Sequence, residues 1–543
     1  MSSEETVDIY EEVRKHAKSK DKFKAENCRA LEALENSITN GKKRRISFTK
    51  YFTTLLAQLK SQQKFYLYLL QIVLPHVPEK MKTAEQLDVL LQFYMKNRST
   101  MEPASLRSLI SCLTSLLLSL ECSKDMWSRG AVKKSFLLLL SFCIHENGKI
   151  RRTSQDELMK IVTKHSEEHF AETSDMIVSY LRNLKEQIDD TNYKEISHYL
   201  AFVAQAAPSL DPSTFPALLS LLIEVLRSHK LAYMDTNSLK PIKLLVQKGV
   251  PLPPNSLHTV LQSILSDPAA LSAAPADIFE FVSTILTLSQ QLDLCENSEN
   301  SELFCEAIEK AMSYLQSKES SVVSRVESDL VSLWSHIDSE SLSPAGFTRL
   351  GALMKAEMGK PHKESVLKVA SAFAARVKPS ESVCLKPLVQ SLVSMREQGA
   401  KLSAALRSQM DETLGSAVEA MGLKQFVETT SFIKADSSLP DDKHYFLFAV
   451  LKNSLIHIAT SLAEFFDLFS PAVKACAAAA SEAANETQKQ QLLKEIASIW
   501  SVFASCCVGA RDVSDVLPRY RKALLKVIND ESNLEAGVQR CWR

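Results

Sequence analysis

The stretch SFLLLLSFCIHENGKIRRTSQDELMKIV, from Ser135 to Val162, constrains the fold of this chain more than any other. Phe136, Leu137, Leu139, Leu140, Phe142, Cys143 and Ile144 make a first helix that is apolar almost all round. Glu146-Asn147-Gly148-Lys149 then breaks the run, with Gly148 supplying the freedom for a tight turn. After the break Ile150, Leu158, Ile161 and Val162 fall on one stripe at helical spacing, while Arg151, Arg152, Gln155, Asp156 and Glu157 take the other faces. A helix apolar on every side is not covered by one hairpin partner. It needs neighbours on both flanks as well, and stacked helical pairs meet that demand.

At 543 residues the chain is too long for one compact core, so it is several domains or one long solenoid. Only 12 residues are glycine, about a third of what average usage of about 7% would give. Rossmann folds, P-loop folds and β-barrels depend on glycine-rich turns, so this deficit argues against them. Leu, Ala, Ser, Lys and Glu dominate, as suits helices. The 64 basic residues balance 64 acidic ones, so global charge gives no reason to bind nucleic acid or an anionic membrane, and an RNA contact has to come from a local patch. The N-terminal MSSEETVDIYEEVRKHAK has no apolar core and is not a secretory signal. Leu109–Leu120 and Phe136–Ile144 are too short to span a bilayer. The 11 cysteines show no zinc-type pairs, and nearly all read as reduced core residues; Cys506-Cys507 is a vicinal pair in an apolar helix.

In chain order the apolar segments come in pairs. Phe48–Leu59 pairs with Phe65–Val73, closed by Pro75 and Pro78. Ala84–Tyr94 pairs with Leu106–Leu120, and the pair at 131–164 follows. With the charged helices of residues 1–40, four units stack at a period of about 40, the range of HEAT repeats, which the Ile-Arg-Arg opening after a polar turn also resembles. Asp211-Pro212, Asp267-Pro268, Ser343-Pro344 and Ser470-Pro471 each read as an N-cap followed by proline at the first helical position. Val250-Pro251-Leu252-Pro253-Pro254 reads as a stiff connector, and Ala435–Lys443 as a subdomain boundary. The expected fold is an all-α HEAT/armadillo-type α-solenoid, a superhelix of antiparallel helical pairs. Its expected parts are N-terminal repeats over 1–190, middle repeats over 191–435, and C-terminal repeats over 436–543 that stop without a polar capping helix and so read as truncated.

Chemistry is sparse. His165-Ser166-Glu167-Glu168-His169 fits the inverted zinc-peptidase pattern H-x-x-E-H. It sits in a polar helix end with no third ligand and reads as an exposed helix terminus. No nucleophile elbow, Walker-type loop or dinucleotide-binding fingerprint occurs, so neither catalytic nor cofactor-binding nor metal residues are assigned, and no enzyme is expected. Basic residues weigh more. Lys42, Lys43, Arg44 and Arg45 form a run suited to nuclear import or phosphate contact, or to a solvated turn. With Lys133, Lys134, Arg151 and Arg152 they form, if the units stack, a ridge able to bind RNA phosphates. Arg151 and Arg152 are equally suited to pairing with acidic groups of the next repeat.

The ordered series KYFTTLLAQL, LPHVPEK, SLRSLISCLTSLLLS and SFLLLLSFCIHENGKIRRTSQDELMKIV, continued by SLLIEVLRSHKLAY and PPNSLHTVLQSIL, resembles the ribosomal RNA-processing protein twelve family, a nucleolar family of HEAT-repeat ribosome-assembly factors. GLKQFVETTSFIKAD, HYFLFAVLKNSLIHIATSLAEFFDLFSP and IASIWSVFASCC extend the likeness to nearly the whole chain. Members of that family run to about twice this length, so a fragment or reduced form is expected. The resemblance implies a non-enzymatic scaffold, karyopherin-like in architecture. Its implied partners are pre-ribosomal RNA, ribosome assembly factors, Ran and export receptors, with no membrane and no small-molecule substrate. Its implied place is the nucleolus and nucleus, with shuttling to the cytoplasm. A nuclear transport receptor and a protein-only scaffold of a signalling complex stand as alternatives.

Overall fold

The computed structural model describes residues 9–15, 18, 22–39, 46–60, 66–168, 170–187, 193–228, 236–250, 256–266, 274–292, 294, 298–337, 342–397, 402–433, 444–483 and 485–529. Among these residues the regular elements are helices, and one isolated parallel bridge joins Thr460 and Ala510. The packing divides the chain into two units, residues 1–256 and 257–543.

The first unit holds α1 (Glu11–Arg14), α2 (Lys22–Thr39), α3 (Phe48–Lys60), α4 (Tyr66–Val73), α5 (Ala84–Asn97), α6 (Pro103–Leu117), α7 (Lys124–Trp127), α8 (Gly130–Phe142), α9 (Gly148–Glu167), α10 (Glu172–Gln187), α11 (Tyr193–Ala206), α12 (Phe215–Ser228) and α13 (Thr236–Gln247). Helices α3, α5, α8, α10 and α12 pack side by side as one layer, and α4, α6, α9, α11 and α13 as the other. The pair α8–α9 has the form its sequence demands. Val132, Phe136, Leu139, Leu140, Phe142 and Cys143 are buried, each of the larger side chains contributing about 1.5–3 kcal/mol. The Ser154 hydroxyl donates to the Leu139 carbonyl at 2.7 Å and ties the two helices together. α8 ends at Phe142 and α9 begins at Gly148, with Asn147 as its N-cap, so the break lies earlier in the chain than expected. Gly148 does not take up a left-handed conformation.

The second unit runs from α14 (Ser256–Leu265) through α15 (Pro275–Ser289), α16 (Ser298–Ser313), α17 (Ser320–His336), α18 (Pro344–Met358), α19 (Lys363–Ala374), α20 (Lys386–Glu397), α21 (Ala404–Thr430), α22 (Phe446–Ser454), α23 (Leu462–Ser481) and α24 (Glu486–Val508) to α25 (Val513–Asn529). Here α15, α17, α19 and α21 succeed one another in one layer, and α16, α18 and α20 in the other. α21 then changes layers without a loop. Gly422, at φ 75°, breaks the helix, a conformation that costs glycine little and other residues more. Before the break Thr413 Oγ1 donates to the Leu367 carbonyl of α19. Beyond it, Ser382 Oγ donates to Gln425 and Gln390 to the Thr429 carbonyl.

Polar links tie neighbouring repeats at a near-constant separation. Ser111–Glu157, Gln155–His198, Lys185–Glu224, Arg349–Glu309 and Lys368–Glu327 join residues 39 to 46 positions apart, in line with the period read from the sequence. The architecture is an all-α HEAT/armadillo solenoid. Ser343 caps α18 with Pro344 at its first position, as expected. Pro471 differs: it lies inside α23, whose cap is Ser461. The apolar face of Phe465, Phe466 and Phe469 continues across the proline to Ala472 and Cys476, and burying it outweighs the lost backbone bond. α24 is the one described helix long and apolar enough to cross a membrane, and its Trp500 and Phe503 pack on Phe465 and Phe466. The nine described cysteines are unpaired and seven of them are buried. The stretches 251–255, 267–270 and 434–443 and residues 541–543 lie outside the described residues.

Candidate nucleic-acid interface

The local patch is set by the register of two second-layer helices. Ser111 of α6 donates to Glu157 of α9 at 3.4 Å, and Lys164 of α9 donates to the Leu118 carbonyl at the end of α6 at 2.8 Å. Both links span 46 residues. The helices therefore run parallel, and their N-terminal ends stand level. α6 opens on Glu102 and Pro103. α9 opens on Asn147, whose side-chain oxygen accepts the Lys149 N–H at 2.9 Å.

Between these two ends lies an open cleft of about 820 Å³, lined in part by Glu102, Arg107, Asn147, Gly148, Lys149 and Arg152. Arg107, Lys149 and Arg152 are exposed, and none of them forms an ion pair among the described residues. Each lies within the first five residues of its helix. The N-terminal end of a helix carries about half a positive charge, so cations there oppose the dipole by roughly 0.3–1 kcal/mol each. Two such ends and three cations make a site of positive potential, offset in part by the Glu102 carboxylate. An anion is the ligand that this field favours.

The basic residues read from the sequence are placed differently from one another. Arg152 lines the cleft. Arg151, next to it, turns inward along the break: its Nη1 donates to the His145 carbonyl at 2.8 Å and to the Glu146 carbonyl at 3.4 Å. Lys133 and Lys134 are exposed near the start of α8. Because α8 and α9 are antiparallel, that is the end of the pair remote from the cleft, about 12 Å along the helix axis from the turn. The structure thus does not bring them beside Arg152. Lys42, Lys43, Arg44 and Arg45 lie outside the described residues. Arg107 and Lys149 were not singled out in the sequence. Charge taken by halves carries a signal that the neutral total hides: residues 1–256 have 36 Lys and Arg against 29 Asp and Glu, and residues 257–543 have 28 against 35.

The H-x-x-E-H segment is not an exposed helix end throughout. His165 is buried, with Nδ1 3.2 Å from Thr173 Oγ1 and its ring edge-on to Trp127 at 4.6 Å. Burial, helped by the Lys164 charge, holds its pKa down to about 4. Glu168 is exposed and pairs with Lys164 at 3.5 Å, while His169 lies outside the described residues. Among the described residues no three His, Cys, Asp or Glu are grouped to hold a metal.

Two family models match the chain. The model described as RRP12-like, N-terminal HEAT repeats, covers residues 3–232, and that described as Ribosomal RNA-processing protein 12, HEAT repeats, covers residues 350–543. The chain belongs to the RRP12-like HEAT-repeat family. Its cleft falls within the N-terminal match. Among curated proteins, no sequence matches the chain. Among solved structures, the karyopherin Kap121p bound to Nup53p is 12% identical, with 98% of this chain and 52% of that chain covered and a TM-score of 0.45. A structure from work on a phosphorylation switch in the interaction between cadherin and beta-catenin is 12% identical over 92% of this chain and 99% of that one, with a TM-score of 0.35. An engineered protein is 11% identical over 84% and 99%, with a TM-score of 0.34. The chain spans about half the length of Kap121p.

Proposed function

We propose that this chain is a non-enzymatic HEAT-repeat scaffold of ribosome biogenesis. It binds pre-ribosomal particles, supports processing of ribosomal RNA precursors and takes part in nuclear export of ribosomal subunits. Its partners are precursor RNA and assembly factors, with Ran and export receptors in the export step, and it works in the nucleolus and nucleus. The observation that carries this reading is that both family models, one at each end of the chain, belong to the RRP12 HEAT repeats.

The mechanism is surface complementarity. Stacked helical pairs hold a long surface in place, and partners dock on what the pairs present. The basic first unit is the side of the chain suited to RNA. Arg152, Lys133 and Lys134 are its exposed candidates, Arg151 holds the turn that presents Arg152, and the run Lys42 to Arg45 is a further candidate for phosphate contact or nuclear import.

The test is purification of the tagged chain from nuclear extract at near-physiological salt, with and without ribonuclease, followed by sequencing of the bound RNA. Precursor ribosomal RNA, with most protein partners lost after ribonuclease, is the expected result. A protein complex that survives ribonuclease and contains no precursor RNA overturns the reading, in favour of a transport receptor or a protein-only scaffold.

A further inference from the structure

We propose that the cleft between the N-terminal ends of α6 and α9 binds the phosphodiester backbone of RNA, with Arg107, Lys149 and Arg152 as its phosphate contacts. The three side chains come from two successive repeats and meet because the 46-residue register sets the two helix ends level. All three are exposed and without an acidic partner among the described residues. Arginine offers a planar fork that matches two phosphate oxygens, and lysine a point charge. Nothing in the packing of α6 or α9 requires these cations. Inter-repeat cohesion is carried further along the helices, by Glu157 and Lys164.

The choice of RNA over a phosphorylated protein segment rests on the ribosome-assembly reading and on two physical features. The first is breadth: the whole first unit carries an excess of positive charge, which suits an extended polyanion better than a single phosphate. The second is the lining. None of the residues around the cleft is aromatic, so no platform is offered for bases to stack on. The cleft is therefore a backbone site, indifferent to base sequence. Glu102 is the one carboxylate in the lining and opposes the bound strand.

The experiment measures binding of two labelled single-stranded RNA oligonucleotides of unrelated sequence, and of a phosphopeptide, to the full chain across a salt series. Each phosphate contact to a single strand contributes a slope of about 0.7 in log affinity against log salt. Replacing Arg107→Gln, Lys149→Gln and Arg152→Gln together is expected to lower the slope by about 2 and to weaken binding about a hundredfold at roughly 0.1 M salt. Glu102→Gln, which removes a negative charge, tightens binding, a gain that loss of folding does not mimic. Both RNAs bind equally well, and both bind better than the phosphopeptide.

Undiminished RNA binding by the triple variant overturns the proposal. So does weaker binding by Glu102→Gln, a strong preference for one RNA sequence, or tighter capture of the phosphopeptide. The outcome is separable from the ribosome-assembly reading. If the triple variant still recovers precursor ribosomal RNA from nuclear extract as the unaltered chain does, the cleft assignment fails and the broader function stands. If purified RNA binding depends on the three cations while no precursor is recovered, the site stands and the assembly role fails.

Discussion

Arg151 and His145 are joined by a hydrogen bond from the guanidinium Nη1 to the backbone carbonyl, 2.8 Å long, across the turn between α8 and α9. The same nitrogen reaches the Glu146 carbonyl at 3.4 Å. In the turn itself the Asn147 N–H donates to His145 Nδ1 at 2.9 Å, and Asn147 then caps α9. Arg151 therefore fixes the geometry from which Lys149 and Arg152 project.

Neighbouring arginines thus have separable roles. A hydrogen bond involving a charged group contributes about 1.5–3 kcal/mol, and Arg151 is half-buried. Arg151→Gln is expected to lower the stability of the chain by about 1–2 kcal/mol, read as a shift in denaturant midpoint. Arg152→Gln, at an exposed site, is expected to leave stability within about 0.5 kcal/mol and to change salt-dependent RNA binding instead. Equal stability loss in both variants contradicts this division.

The helical pairs were legible because their demand is local. An all-round apolar helix such as Phe136–Ile144 permits few neighbours, and prolines and caps mark its limits. The cleft was not legible. Arg107 and Lys149 are far apart in sequence and become neighbours only through the register of α6 against α9, which depends on side-chain links such as Ser111–Glu157. Arg151 and Arg152 look alike in sequence, and only the path of the turn separates them. His165 read as part of a polar helix end because the rings that cover it, Trp127 and Phe170, come from other segments. Pro471 read as a helix start because its N-cap neighbour Ser470 fits that pattern, while the apolar face running through it prevailed.

His165 gives the first unit an acid sensitivity. Its folded-state pKa, about 4, lies below the unfolded value of about 6.5. Above that value both states are neutral and the residue is indifferent to pH. As pH falls from about 6.5 towards 4 the unfolded chain takes up a proton that the folded chain refuses, so stability is lost over that window. The expected loss is about 3 kcal/mol by pH 4, measured as denaturant midpoints across the range. His165→Gln is expected to flatten this part of the profile. An unchanged profile in the variant excludes His165 as the source.

At the other end of the chain, Asp512 caps α23 from outside it. Its carboxylate accepts the Leu462 N–H at 2.8 Å, the Ala463 N–H at 3.0 Å and the Ser461 hydroxyl at 2.8 Å. Desolvation pushes its pKa up, but these donors outweigh it and hold the carboxyl below its usual range. A depressed pKa stabilises above the unfolded carboxyl value and loses that stabilisation as pH falls through the folded one. At neutral pH the cap is complete. Asp512→Ala is expected to cost about 1–2 kcal/mol, with Asp512→Asn recovering part of it through its remaining oxygen. Loss of protection in amide exchange over residues 461–465 is the local readout, and full protection in Asp512→Ala contradicts the assignment.

Close packing between repeats in the second unit is tested at Gly351. A Cβ built on Gly351 in α18 comes within 2.4 Å of the Cys384 carbonyl oxygen. That contact is with backbone, so relief requires α18 to move away from the 379–385 turn rather than a side chain to rotate. Overpacking of this kind costs about 1–3 kcal/mol, and helix propensity returns at most about 1 kcal/mol. Gly351→Ala is therefore expected to destabilise the chain by about 1–2 kcal/mol. Gly130→Ala, in the first turn of α8 with no heavy atom within 4 Å of the added methyl, is expected to be neutral or stabilising by up to about 1 kcal/mol. The two variants make the same chemical change in a helix, so opposite signs in thermal melting isolate the contact with Cys384. Melting of Gly351→Ala at or above the unaltered temperature means that α18 and the turn yield at little cost, and the tight approach of the two repeats is then not a source of their rigidity.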